Sequence, residues 1–241
     1  MITEILLKDQ TTGKNIIWAN AEFGAKEIQA AQIELIRPRH EKLREHQRQR
    51  TRDRAEIFTP PDICKLQNDL IDADSRDWQK YIDAKFLEIA CGEAPYLVSR
   101  YNAVTGEPID IKNRVGLLDR KLRIISKETS AIADWLSFAA RAVKSVYGYE
   151  FQGDNLFLAR KNVFETVKDF YNEKFSSKPP EDFLSKVAEI ISWNLFQMDG
   201  LTGSPPFTES KNLFGGANCL IKDWKTGKPF EFITLTGGVP R

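Results

Sequence analysis

The stretch that most constrains this chain is Lys85-Phe86-Leu87-Glu88-Ile89-Ala90-Cys91-Gly92-Glu93-Ala94-Pro95-Tyr96-Leu97. An apolar run ends in an acid, passes through small residues, and resumes with aromatic and aliphatic residues suited to opening a helix. That order predicts a strand, a tight turn and a helix. In such a unit a ligand sits at the turn, because small side chains let it approach the backbone and a helix start offers unpaired N–H groups. Two later segments repeat the pattern of strand followed by acid. Ser145 to Phe151 is β-branched and aromatic and carries Glu150, and Ile191 to Asp199 ends in Met198-Asp199. Helical spacing fills the gaps: Ala131 to Lys144, Asn155 to Phe175, and a helix opened by Pro179-Pro180-Glu181-Asp182. The expectation is an α/β fold in which parallel strands end at one crevice.

The flanks read differently. Ile5-Leu6-Leu7 and Ile16-Ile17-Trp18 bracket a turn-rich Asp9 to Lys14 and predict an N-terminal hairpin. Cys219 to Trp224 and Pro229 to Ile233 bracket Thr226-Gly227-Lys228 and predict a C-terminal one, and Ser99 to Arg114 reads as a small hairpin around Thr105-Gly106. Ala25 to Arg54 has a helical pattern broken at Pro38, and its second half is dense in arginine, including Arg48, Arg50, Arg52 and Arg54. Such a run is either a solvated, ion-paired helix face or an arm that contacts nucleic-acid phosphates. The organisation expected is a hairpin and basic helical arm over 1–54, an α/β domain over 55–203, and a loop and hairpin over 204–241.

The 241 residues suffice for a full core, and the formal charge of +1 carries no global signal for nucleic acid or membrane. Cys64, Cys91 and Cys219 are widely spaced and show no CxxC pairing, which points to a reducing cytoplasm and away from disulfides or a metal site. Both histidines, His40 and His46, lie in the charged segment, so histidine-centred catalysis elsewhere is excluded. No apolar run reaches membrane-spanning length and the N-terminus does not read as a signal peptide, so a cytoplasmic protein without membrane association is expected.

At the crevice, each strand end has a chemical use. The acid after the second strand can accept from two vicinal sugar hydroxyls, and the acid after the third from an exocyclic amine, the donors of an adenosyl group. The first turn is neither GxGxxG nor a Walker loop, which disfavours NAD and ATP. Glu88-Ile89-Ala90-Cys91-Gly92-Glu93-Ala94 instead resembles the S-adenosylmethionine turn of DNA amino-methyltransferases, typically Asp-Pro-Ala-Cys-Gly-Ser-Gly. Glu88 stands for Asp, Ile89 for Pro, Glu93 for Ser and Ala94 for the last Gly.

The resemblance extends outward. Phe58-Thr59-Pro60 is similar to the family's Phe-Thr-Pro motif upstream of the turn, whose aromatic ring packs on the methionine end of the cofactor. Glu150 matches the ribose acid and Asp199 the adenine contact, with Asp119 in Leu117-Leu118-Asp119 as a competing ribose acid. The whole chain resembles short "subunit M" proteins of restriction–modification systems. This implies a Rossmann-like class I methyltransferase sheet, S-adenosylmethionine as cofactor and adenine methylation in double-stranded DNA; the arginine segment is the candidate DNA contact on its own charge density.

The family also needs a (Asp/Asn/Ser)-Pro-Pro-aromatic loop, which holds the target amine and stacks on the extruded base. Ser204-Pro205-Pro206-Phe207 matches that pattern, but it follows Asp199 too closely for a strand to intervene, and a plain turn is the competing reading. Only 42 residues follow Asp199, while a βαβ unit takes roughly 30 residues. A partial or truncated sheet is therefore expected, with a second chain supplying the catalytic loop and target recognition. Two rivals stand beside this reading: a non-catalytic DNA-binding or regulatory subunit that retains the fold, and a restriction endonuclease using Asp223-Trp224-Lys225.

Overall fold

A computed structural model describes residues 1–54, 56–71, 77–208 and 218–237. At its centre lie β1 (Phe86–Glu88), β2 (Val146–Glu150) and β3 (Leu195–Gln197), all parallel, with β2 in the middle. The crossover from β1 to β2 carries α5 (Leu117–Glu128) and α6 (Ile132–Lys144). The crossover from β2 to β3 carries α7 (Gly153–Phe175) and α8 (Glu181–Asn194). Parallel neighbours require crossovers of this length, and the helices bury the sheet in return.

Aromatic spacing explains the helical layer. Trp135 of α6 is fully buried and meets Tyr171 and Phe175 of α7 and Phe183 of α8 edge-to-face, with ring centroids 5.3, 6.2 and 6.3 Å away. Its indole N–H donates to the Ser126 hydroxyl at 3.0 Å, so the ring is buried without an orphaned donor. α7 ends at Ser176, which takes the left-handed conformation common at helix termini.

Several expected elements differ. Of the expected N-terminal hairpin, the turn at Asp9 to Lys14 and the antiparallel bridge of Lys8 with Asn15 are present, but the first strand is replaced by α1 (Ile2–Leu7), and Ile17 bridges to Glu27 instead. Arg160 accounts for this: its guanidinium, fully buried, donates to the carbonyls of Leu6 and Lys8 at 2.7 and 2.9 Å, and to those of Ser192 and Leu195. The third strand starts at Leu195 rather than Ile191, because Ile190 and Ile191 remain on the buried face of α8. The helical segment from Ala25 resolves into two short 3-10 turns, Ala30–Leu35 and Arg39–Glu41, before α2 (Arg44–Arg54). α3 (Pro61–Ile71) begins after Thr59-Pro60, as a proline in the first turn allows, and α4 (Trp78–Asp83) leads into β1.

The expected C-terminal hairpin is present as antiparallel β4 (Leu220–Lys222) and β5 (Pro229–Glu231). It packs Ile221 and Phe232 against Phe196 and Met198 beside β3. Ser99 to Arg114 closes with one bridge, Tyr101 to Pro108. Among the described residues no helix is long and apolar enough to cross a membrane.

Candidate functional site

The carboxyl ends of all three central strands open into one cleft of about 650 Å³. Its walls include Glu56, Phe58, Thr59, Glu88, Ala90, Cys91, Gly92, Tyr149, Glu150 and Asp199. Eight of the residues expected to hold a cofactor are thus brought together from four separated stretches of chain.

The turn after β1 is built from backbone that favours small residues. Ala90 and Gly92 have φ of 48° and 53°, and a Cβ on Gly92 would sit 3.4 Å from the Phe58 ring. Cys91 N–H donates to the Tyr149 carbonyl at 2.9 Å, which pins the turn to the end of β2. The expected helix after this turn is absent: Glu93 to Val98 forms successive turns, and the next helix is α5. The N–H groups a helix start would have offered are met internally. Glu150 accepts from Gly92 N–H at 2.9 Å and Gln152 N–H at 3.0 Å, while Glu88 accepts from Tyr96 and Leu97 N–H, each at 3.2 Å.

Both carboxylates are buried, and burial pushes Glu88 up to about 8 and Glu150 to about 7, against the pull of those N–H groups. Asp199 is half-buried. One of its oxygens accepts from Leu201 N–H at 2.9 Å; the other has no hydrogen-bond partner among the described residues.

Two expected residues stand apart from the cleft walls. Glu93 is buried, accepts from Arg39 N–H at 2.7 Å and from the Tyr101 hydroxyl, and ties two outer loops together. Ala94 is enclosed in the core with φ of 63°. Asp119, the competing ribose acid, is fully buried at the start of α5, where it accepts from Ser99 N–H (2.8 Å), the Ser99 hydroxyl (3.2 Å) and Gly116 N–H (3.0 Å). It caps a helix away from the cleft.

Sequence reasoning missed a polar wall beside the turn. Glu56 accepts from Arg50 Nε (2.7 Å), Gln152 Nε2 (3.1 Å) and Asn155 Nδ2 (2.9 Å), all on one oxygen. Its other oxygen and the Gln152 side-chain oxygen are buried without partners among the described residues. A usable signal was position: Glu56 lies two residues before Phe58, and Gln152 two after Glu150.

Arg50 itself turns inward. It clamps Asp154 with bonds of 2.8 and 3.1 Å, and Lys42 reaches the same carboxylate at 3.2 Å. Burial disfavours charge on Asp154, yet Lys42 and Arg50 hold it below its usual value. Arg48 and Arg52 are exposed on α2; of Arg54 only the backbone is among the described residues. Ser204 is buried, and its carbonyl accepts from Asp199 N–H at 2.9 Å in a tight turn. Pro205 accepts from the Thr208 hydroxyl, and Phe207, half-exposed with φ of 62°, sets its ring 5.6 Å from Phe151 on the cleft wall. Asp223 is bound within its own turn by Lys225 N–H and the Thr226 hydroxyl.

Comparison with protein-family models, with curated proteins and with solved structures found no match. The chemistry of the cleft is therefore read from its own residues. Four acids line it, Glu56, Glu88, Glu150 and Asp199, and no lysine, arginine or histidine is among the described lining residues. Burial keeps protons on Glu88 and Glu150 up to about pH 8 and 7, so the negative charge of these walls grows above neutrality; at any pH they offer oxygen acceptors, which suit a ligand that carries hydroxyl or amine donors better than a phosphate.

Proposed function

We propose that this chain is the S-adenosylmethionine-binding unit of a DNA adenine amino-methyltransferase of a restriction–modification system, built on a Rossmann-like class I methyltransferase sheet. The observation that carries the reading is the acidic, aromatic cleft at three parallel strand ends, lined among the described residues by no basic side chain. When bound, S-adenosylmethionine supplies an activated methyl group on a cationic sulfur. The chain's residues do the rest. Ala90, Cys91 and Gly92 keep the turn low enough for close approach, and Phe58 forms an aromatic wall beside it. Glu150 accepts from the sugar hydroxyls and Asp199, with a lone oxygen to offer, from the adenine amine. The partnerless oxygens of Glu56 and Gln152 support a ligand rich in donors.

Double-stranded DNA and a second polypeptide are the proposed partners. The small sheet favours a second chain, because the base-holding loop has no additional strand to carry it among the described residues. Ser204 to Phe207 remains the only stretch of matching pattern in this chain, with Phe207 facing Phe151. The exposed Arg48 and Arg52 favour a second reading, a non-catalytic DNA-binding subunit that retains the cofactor fold.

Labelled S-adenosylmethionine separates the two. Retention of label by the purified chain, with transfer to duplex DNA only when a second chain is added, is the expected result. DNA binding with no retention of label supports the second reading. Strong transfer by this chain alone, lost on Ser204→Ala, would instead place the catalytic loop here.

A further inference from the structure

A second concavity borders β1, over the sheet face that carries Leu87 and its register partner Tyr147. We propose that the outer edge of β1 is a docking site for an extended, acidic strand of a second polypeptide, which adds beside Leu87 and fills the groove between the sheet and the C-terminal hairpin.

Among the described residues β1 pairs with β2 alone. A parallel ladder takes its bonds from alternate residues, and here Phe86 N–H donates to the Ser145 carbonyl at 2.9 Å. Leu87 therefore turns its N–H and carbonyl to the opposite side, which is a template for another strand. Apolar side chains accompany this edge: Leu87 is 44% and Ile89 66% exposed. The groove holds about 620 Å³, and Leu87, Tyr147, Phe230 and Leu235 form apolar walls for alternate side chains of an added strand.

Charge selects the occupant. Exposed Lys85, Lys225 and Lys228 line the groove beside Lys222, which pairs with Glu189 at 3.2 Å, and the one acid among its described lining residues, Asp223, already accepts from Lys225 N–H and the Thr226 hydroxyl. An acidic strand meets this surplus. A second copy of the same edge would bring lysines against lysines. A strand running parallel to β1 also ends beside Ile89, which lines the acidic cleft. The partner's next loop would thus arrive at the cleft mouth. That last consequence rests on the proposed reading of the cleft; the docking site itself does not.

The test uses the full chain, without cofactor, and a fluorescent peptide that alternates glutamate with valine and isoleucine. Binding is expected. It should weaken about tenfold with Lys85→Glu plus Lys228→Glu, both exposed and remote from the core. It should vanish with N-methylation of alternate peptide amides, which removes strand bonding but not charge. Equal binding of a lysine-substituted peptide, indifference to N-methylation, or no binding overturns the proposal. Displacement of the peptide by a short oligothymidylate would reassign the groove to nucleic acid. Concentration-dependent dimers broken by Leu87→Asp would reassign it to self-association. S-adenosylmethionine binding is measured separately on the same samples, so failure of either claim leaves the other readable.

Discussion

Glu88 and Glu150 carry pKa values raised by burial to about 8 and about 7, so in the folded chain each holds its proton at a pH where the unfolded chain has lost it. The folded state then binds more protons than the unfolded one, and stability falls as pH rises. The contribution is complete below the ordinary carboxylate range and is lost as pH rises through the folded values. Urea unfolding should show stability declining between pH 5 and 9, by up to about 1.4 kcal/mol per pH unit for each group inside its window. Glu150→Gln should flatten the part below about pH 7, leaving the decline that Glu88 carries up to about 8. A stability that climbs over the same range would contradict the burial argument. Under the proposed function, ionised Glu150 accepts from the sugar, so cofactor affinity should rise through pH 7. Asp119 gives the complementary expectation. Asp119→Ala strips the cap of α5 and orphans Gly116 and Ser99 N–H, costing about 2 kcal/mol in stability, while cofactor affinity per folded molecule stays unchanged.

At the scale of elements, the N-terminal segment and α7 are held together by close backbone approach. Gly153 N–H donates to the Trp18 carbonyl at 3.1 Å, and a Cβ on Gly153 would lie 2.0 Å from the Ile17 carbonyl oxygen. Gly153→Ala should therefore lower the unfolding midpoint in urea by an amount equivalent to about 1–3 kcal/mol, despite alanine's better helix propensity. An alanine variant as stable as the parent would show that Ile17 can move away. The strands ending at Glu88 and Glu150, a third strand that stops at Gln197 two residues short of Asp199, α6, most of α7 and the C-terminal hairpin were legible because their periodicity is long or their turn chemistry is specific. α1 was not, since a short apolar run suits strand and helix alike, and the group that decides it, Arg160, lies 154 positions from Leu6. Arg50 read as a phosphate contact because local sequence cannot show that Asp154, 104 positions away, takes its charge. Glu56 and Gln152 were hidden in the same way, as their meeting is a product of tertiary packing.

Over the whole molecule, the cleft depends on ties that span the chain. Arg160 joins α1, α8 and β3 through four carbonyls, and burial lowers its pKa to about 10. Arg160→Met keeps the volume but leaves those carbonyls unmet, and should destabilise by about 3 kcal/mol or more in chemical unfolding. Under the proposed function the acids at the strand ends hold a cationic adenosyl ligand. Isothermal calorimetry with S-adenosylmethionine, ATP and NAD on the parent chain, Glu150→Ala, Asp199→Ala and Asp119→Ala tests it most directly. S-adenosylmethionine should bind, neither phosphate-bearing nucleotide should, and Glu150→Ala and Asp199→Ala should weaken binding roughly tenfold or more, whereas Asp119→Ala should not. Tight binding of ATP or NAD, or S-adenosylmethionine binding indifferent to both Glu150 and Asp199, would contradict it.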